Sequence, residues 1–182
     1  MKKMVIAVSG PPGSGKTTYS KRLARDLGLR YVSAGMLFRK IASERGVSIV
    51  KLSLIAESDP SIDFEVDRRT LKEALTGNVV LDGHLTAWVV RHLADFTVYV
   101  TAPLIVRVNR IARRDNIPLE EALKETVTRE VSQKQRYFKY YGIDVTDTSW
   151  FDLIINTEKL TVDEAYEIIK ASVVKALSKR NP

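Results

Sequence analysis

The stretch Gly10-Pro11-Pro12-Gly13-Ser14-Gly15-Lys16-Thr17, with Thr18 behind it, restricts the folds open to this chain more than any other. Two glycines five apart, followed by Lys and a hydroxyl residue, form the phosphate-binding-loop pattern. The flanks agree. Met4-Val5-Ile6-Ala7-Val8 is a short apolar run suited to a buried parallel strand. Past the loop, Tyr19, Leu23, Ala24 and Leu27 recur at helical spacing. Glycines let backbone approach a phosphate closely. Successive N–H groups and the helix N-terminus then make a concave anion site. Lys16 is expected to bridge β- and γ-phosphates, and Thr17 to hold Mg²⁺ through its hydroxyl. The expected donor-binding set is therefore Gly10, Pro11, Pro12, Gly13, Ser14, Gly15, Lys16, Thr17 and Thr18. A plain Gly-rich turn would have no use for Lys16-Thr17. The motif specifies a nucleoside triphosphate and leaves the phosphoryl acceptor open.

Composition narrows the classes. A length of 182 residues suffices for one α/β domain with its own core. The absence of cysteine excludes disulfides and cysteine-ligated zinc. Met1-Lys2-Lys3 is followed by only five apolar residues before Gly and Pro, too few for a secretion signal, and no stretch approaches a membrane span. A cytoplasmic location without membrane association is the expectation. Net charge of +7 favours anionic partners. Basic clusters at Arg107–Arg114 and Arg129–Lys139 carry little aromatic interleaving, so phosphorylated small molecules are favoured over nucleic acid.

Five short apolar segments read as strands: Met4–Val8, Leu29–Ser33, Asn78–Gly83, Phe96–Val100 and Asp152–Asn156. Helical patterns separate them, which predicts an α/β fold with a five-stranded parallel sheet and helices on both faces. Between the second and third strands lies an entirely helical block, residues 34–76, too long for a simple crossover; it predicts an inserted subdomain. Helices over about 103–114 and 119–140 form a hairpin between the last two strands. Ligands of such sheets bind beyond the strand C-termini. The loop, Ser33, Asp82 and the segment after Val100 all fall at that edge.

Asp82 ends an apolar strand, where a phosphate-loop enzyme needs its magnesium-orienting carboxylate; a simple Asp-Gly turn is the alternative. Arg107, Arg110 and Arg114 are phased along one helix, and Arg129, Gln133 and Arg136 along the next. A hairpin presenting these arginines could neutralise a phosphoryl group in flight and, on closing, exclude water. A solvated basic face is the alternative for any single arginine. Arg39, in the helix after Ser33, would suit a second, acceptor phosphate. His84 and His92 lack metal-ligand spacing, and Trp88 and Trp150 read as packing residues, with Trp88 near enough to Asp82 to touch a base.

Ser33-Ala34-Gly35 through Phe38-Arg39 resembles the acceptor segment of nucleoside monophosphate kinases, and Leu81-Asp82-Gly83 their magnesium and acceptor strand. Together with Ile62-Asp63, Asp67-Arg68-Arg69, Tyr141–Asp144 and Asp152–Thr157, the pattern looks most like the archaeal-type cytidylate kinases, across essentially the whole chain. The resemblance implies transfer of the ATP γ-phosphoryl group to CMP or dCMP, with Mg²⁺ held at Thr17 and Asp82. It implies a three-layer phosphate-loop NTPase fold in one domain: a core (1–33, 77–106, 145–182), an acceptor-binding insertion (34–76) and a short lid (about 107–144). Ser33, Gly35, Arg39, Asp82, Arg129 and Arg136 would contact the acceptor. Lys16, Arg110, Arg114 and Arg129 would be catalytic, with Arg110 and Arg114 facing the ATP phosphates. A monomer is expected. The chain departs from the pattern at His84, where many relatives have arginine, and at Gln133, where a carboxylate is common. Two rivals remain open: a kinase of AMP, UMP or a shikimate-like acceptor, and an RNA-binding ATPase or GTPase switch. Against the switch, no guanine-reading Asn/Thr-Lys-x-Asp motif is present.

Overall fold

A computed structural model describes residues 3–179. The strands are β1 (Val5–Ser9), β2 (Arg30–Ser33), β3 (Val79–Asp82), β4 (Phe96–Thr101) and β5 (Leu153–Asn156). The helices are α1 (Lys16–Asp26), α2 (Ala34–Glu44), α3 (Ile49–Ser58), α4 (Ser61–Thr76), α5 (Thr86–Val89), α6 (Leu104–Asp115), α7 (Leu119–Tyr141) and α8 (Val162–Ser178). The strands form one sheet in the order β2-β3-β1-β4-β5, every pair parallel. The β1 strand thus lies in the middle, with its C-terminal loop between β3 and β4, where the strand order reverses and ligands of open α/β sheets bind.

Alternation along the strands feeds two cores. Ile6, Val8, Val80, Val98 and Val100 face one side and meet Tyr19 and Leu23 of α1 and Tyr166, Ile169 and Val173 of α8. Val5, Ala7, Val79 and Leu81 face the other and meet Ala74 of α4, Ala87 and Val90 around α5, and Phe151. This is the three-layer arrangement expected. A third cluster, Ile41, Ala42, Leu52, Ala56, Ile62 and Val66, belongs to α2–α4 alone. A small fourth one, Val108, Ile111 and Ala122, joins α6 to α7.

Caps fix the helix starts. Ser33 accepts from Met36 N, Ser48 from Lys51 N, and Thr161 with Glu164 forms a reciprocal capping box. The sequence reading missed α5, which has only four residues and so no periodicity to detect.

Candidate active site

The phosphate loop leaves β1 and enters α1 through backbone that side chains would block. A Cβ at Gly10 would lie 2.1 Å from the Val100 carbonyl oxygen. One at Gly13, where φ is +74°, would lie 2.5 Å from the Arg107 carbonyl oxygen. Both glycines are required by close approach. Lys16 Nζ folds back on the Pro11 carbonyl at 3.3 Å. Its pKa is pulled down to about 8 by burial; Asp82 opposes this, and Arg129, Arg114 and Arg107 reinforce it. Lys16, Asp82, Arg114 and Arg129 therefore share one electrostatic neighbourhood, although they come from α1, β3, α6 and α7.

Asp82 ends β3 against the loop. Its Oδ2 accepts from the Thr17 hydroxyl at 2.7 Å and from the Tyr31 hydroxyl at 2.8 Å. Its Oδ1 is buried without a protein partner, as is Ser14 Oγ in the loop. Burial and the nearby Asp82 charge push the Tyr31 phenol up to about 12, so it is a neutral donor. A hydroxyl and a carboxylate side by side, one carboxylate oxygen unspent, suit a hard divalent cation. Among the described residues no three His, Cys, Asp or Glu groups converge on a metal. Mg²⁺ here would thus share its ligands with nucleotide phosphates, as it usually does.

The expected arginine set divides. Arg107 is buried and structural: it donates to the Ala102 carbonyl at 2.9 Å and the Pro12 carbonyl at 3.0 Å, and pairs with Glu130 of α7. Arg110 is braced on the loop's flank by the Thr157 hydroxyl and carbonyl, both at 2.9 Å. Arg114 is exposed and paired with neighbouring Asp115 at 2.6 Å. Arg129 is exposed, and its charge reaches Lys16, His84 and Tyr137. Arg136 lies 3.5 Å from the Asp63 carboxylate of α4, both largely buried. Of the hairpin arginines, Arg107 is thus spent on backbone carbonyls and Glu130, whereas Arg114 and Arg129 keep exposed side chains.

At the start of α2, the Ser33 hydroxyl oxygen accepts from Met36 N as the cap. Arg39 is exposed, and its guanidinium lies over Gly35, where an added Cβ would sit 3.6 Å from Nη1. A cavity of about 420 Å³ opens beside the loop, lined by Gly10, His84, Trp88, Gln133 and Tyr137 among others. Trp88 packs edge-on against Tyr99, Trp150 and Phe151, as expected of a packing residue, and it also borders this cavity. His84 is held neutral, its pKa driven well below the usual range by burial and by Lys16, Arg129 and Arg107. It lines the cavity without being a cation.

Sequence reasoning gave no role to Tyr31, Glu130 or Tyr137, and named Tyr141 and Thr157 only as ends of segments that carry the resemblance; their contacts come from packing. Tyr141 donates to Asp67 of α4, and Phe64 of α4 meets the Tyr141 ring edge-on. The end of α7 is thus fastened to α4.

A profile of the cytidylate kinase-like family matches residues 5–159. The chain belongs to that family. It is 59% identical over 174 residues to a protein of Staphylothermus marinus named cytidylate kinase, covering 96% of this chain and 98% of that one. It is 54% identical over 177 residues to a cytidylate kinase of Desulfurococcus amylolyticus, covering 97% and 96%. A solved structure of shikimate kinase from Bacteroides thetaiotaomicron superposes with a TM-score of 0.63 at 17% identity, covering 97% of this chain and 99% of that one; the likeness is one of fold.

Proposed function

We propose that this chain is a cytidylate kinase, transferring the γ-phosphoryl group of ATP to CMP and dCMP. The observation that carries the reading is the convergence of Lys16, Arg114 and Arg129 around a loop built for a triphosphate, with an exposed Arg39 on the insertion side. Cations from three elements around one loop suit transfer between two phosphates.

The mechanism follows from charge and position. The acceptor is a phosphate oxygen, already ionised, so no general base is required. We assign Lys16 and the loop N–H groups to the donor phosphates, and Arg39 and Arg136 to the acceptor. Arg129 and Arg114 are assigned to the transferring group, where extra cationic contacts are worth most. Arg110 keeps the loop and the β5 exit in register, on the donor side. Thr17 and Asp82 would hold Mg²⁺, which when bound neutralises charge on the donor phosphates. Gly35 and Ser33 shape the turn that brings Arg39 forward. Residues 34–76 serve as the acceptor-binding insertion and about 107–144 as the lid. Holding both reactants in line supplies the rest of the rate.

Initial rates with ATP against CMP, dCMP, UMP, AMP and shikimate test this. CMP and dCMP are expected to react at least tenfold faster, in kcat/KM, than the rest. Preference for another acceptor, or hydrolysis without one, would overturn it. We place the enzyme in the cytoplasm as a monomer; light scattering on the purified chain checks the monomer.

A further inference from the structure

We infer that Tyr31 is a positioning residue for the metal-holding carboxylate: its phenol, with the Thr17 hydroxyl, occupies one Asp82 oxygen and turns the other toward the triphosphate site. The inference rests on the reading that Thr17 and Asp82 hold Mg²⁺. In the β2–β3 ladder Tyr31 lies opposite Val80, and Ser33 opposite Asp82. Residues two apart share a face, so the Tyr31 ring stands on the Asp82 side, one step back along the strand. A phenol is long enough to span that step, and its oxygen meets Oδ2 at 2.8 Å. The ring has little freedom to leave. It packs against the core under α1, and Lys21 Nζ lies 5.7 Å from its centroid.

The carboxylate torsion of an aspartate is soft and roughly two-fold. One donor would fix it poorly, and the Thr17 hydroxyl is a poor choice of sole donor. Thr17 is exposed, and its oxygen is the one assigned to the metal. Once that oxygen turns to a cation, Tyr31 is the contact that still holds Oδ2. Oδ1, buried without a protein partner, then keeps its direction. Because the phenol is neutral, it steers the carboxylate without cancelling the charge that attracts Mg²⁺.

The test separates metal coupling from folding and from turnover. ADP binding is measured by calorimetry with saturating Mg²⁺ and with excess EDTA, on the wild type, Tyr31→Phe and Asp82→Asn. Phe preserves the ring packing and removes only the donor. The wild type is expected to bind ADP more tightly with Mg²⁺, and Asp82→Asn to lose that gain. Tyr31→Phe is expected to lose about tenfold of it, the scale of one hydrogen bond to a charged group, with EDTA affinity unchanged within about twofold. The Mg²⁺ concentration for half-maximal velocity should rise in parallel, while KM for CMP at saturating Mg²⁺ stays put. Full Mg²⁺ coupling in Tyr31→Phe overturns the inference. So does an equal loss of affinity with and without Mg²⁺, which would mark Tyr31 as a packing residue only. No coupling in the wild type would instead defeat the metal reading of Thr17 and Asp82, and this inference with it.

Discussion

Lys16 is the residue whose chemistry most exceeds its motif. An ammonium held near 8 is half discharged just above neutrality, whereas in the unfolded chain it stays charged to 10.5. Between those values the unfolded state binds more protons, so this group's contribution to stability rises with pH in the ligand-free protein. Binding works in the opposite direction. A triphosphate needs the charged form, so ATP affinity should fall as pH rises past about 8, with proton uptake on binding. Calorimetry in buffers of different ionisation enthalpy measures that uptake, and Lys16→Met should abolish it. At neutral pH, Lys16→Ala is expected to lower kcat about 10²–10³-fold, while thermal melting changes by a few degrees at most. The motif alone disclosed Lys16 and Thr17, because their roles depend on chain-local geometry. It could not disclose Tyr31 or the neutral state of His84. Both depend on which strands become neighbours and on what charge gathers there.

At the scale of elements, α7 is the connecting piece. Its middle is tied through Glu130 to Arg107, which also holds the Pro12 carbonyl of the phosphate loop. Removing the carboxylate leaves a buried guanidinium short of a partner. Glu130→Ala is therefore expected to destabilise by about 1–3 kcal/mol in denaturant titration, and Glu130→Gln by less. The C-terminal end of α7 is tied to α4 through Tyr141 and Asp67. Burial raises the Asp67 pKa to about 6; the Tyr141 hydroxyl opposes this, and the Asp63 charge adds to it. A raised carboxyl binds its proton longer in the folded state, so its contribution falls as pH climbs from 3.8 to about 6. Asp67→Asn keeps an acceptor for Tyr141 and should flatten that slope, raising stability at neutral pH. Melting profiles across this range check it. The helices themselves were readable from periodicity over long windows, as in α4 and α7. The ties between them were not. Arg107 has the spacing of a phosphate-facing arginine, and only the positions of Ala102, Pro12 and Glu130 reveal that it braces the loop.

For the whole molecule, the sheet and its two flanking cores make a frame, and α2–α4 add a smaller cluster beside it. Cavities in the two places should behave differently. Leu23→Ala, in the α1–α8 core, is expected to cost about 2–5 kcal/mol of global stability. Leu52→Ala, in the α2–α4 cluster, should shift the main transition less and raise KM for CMP more than KM for ATP. Equal losses in both variants, measured by melting and by kinetics, would show one indivisible cooperative unit instead. The five parallel strands were foreshadowed by apolar runs separated by helical patterns, but the strand order, with β1 central, and the register were not in the sequence pattern. The buried residues of the α2–α4 cluster include none from either sheet core. On the proposed reading of residues 34–76 as the acceptor-binding insertion, a lineage changing its acceptor could accumulate substitutions in that cluster while both sheet cores stay as they are. Exchange of this block between distant homologues is thus a route by which one ancestral frame could diversify its menu of substrates.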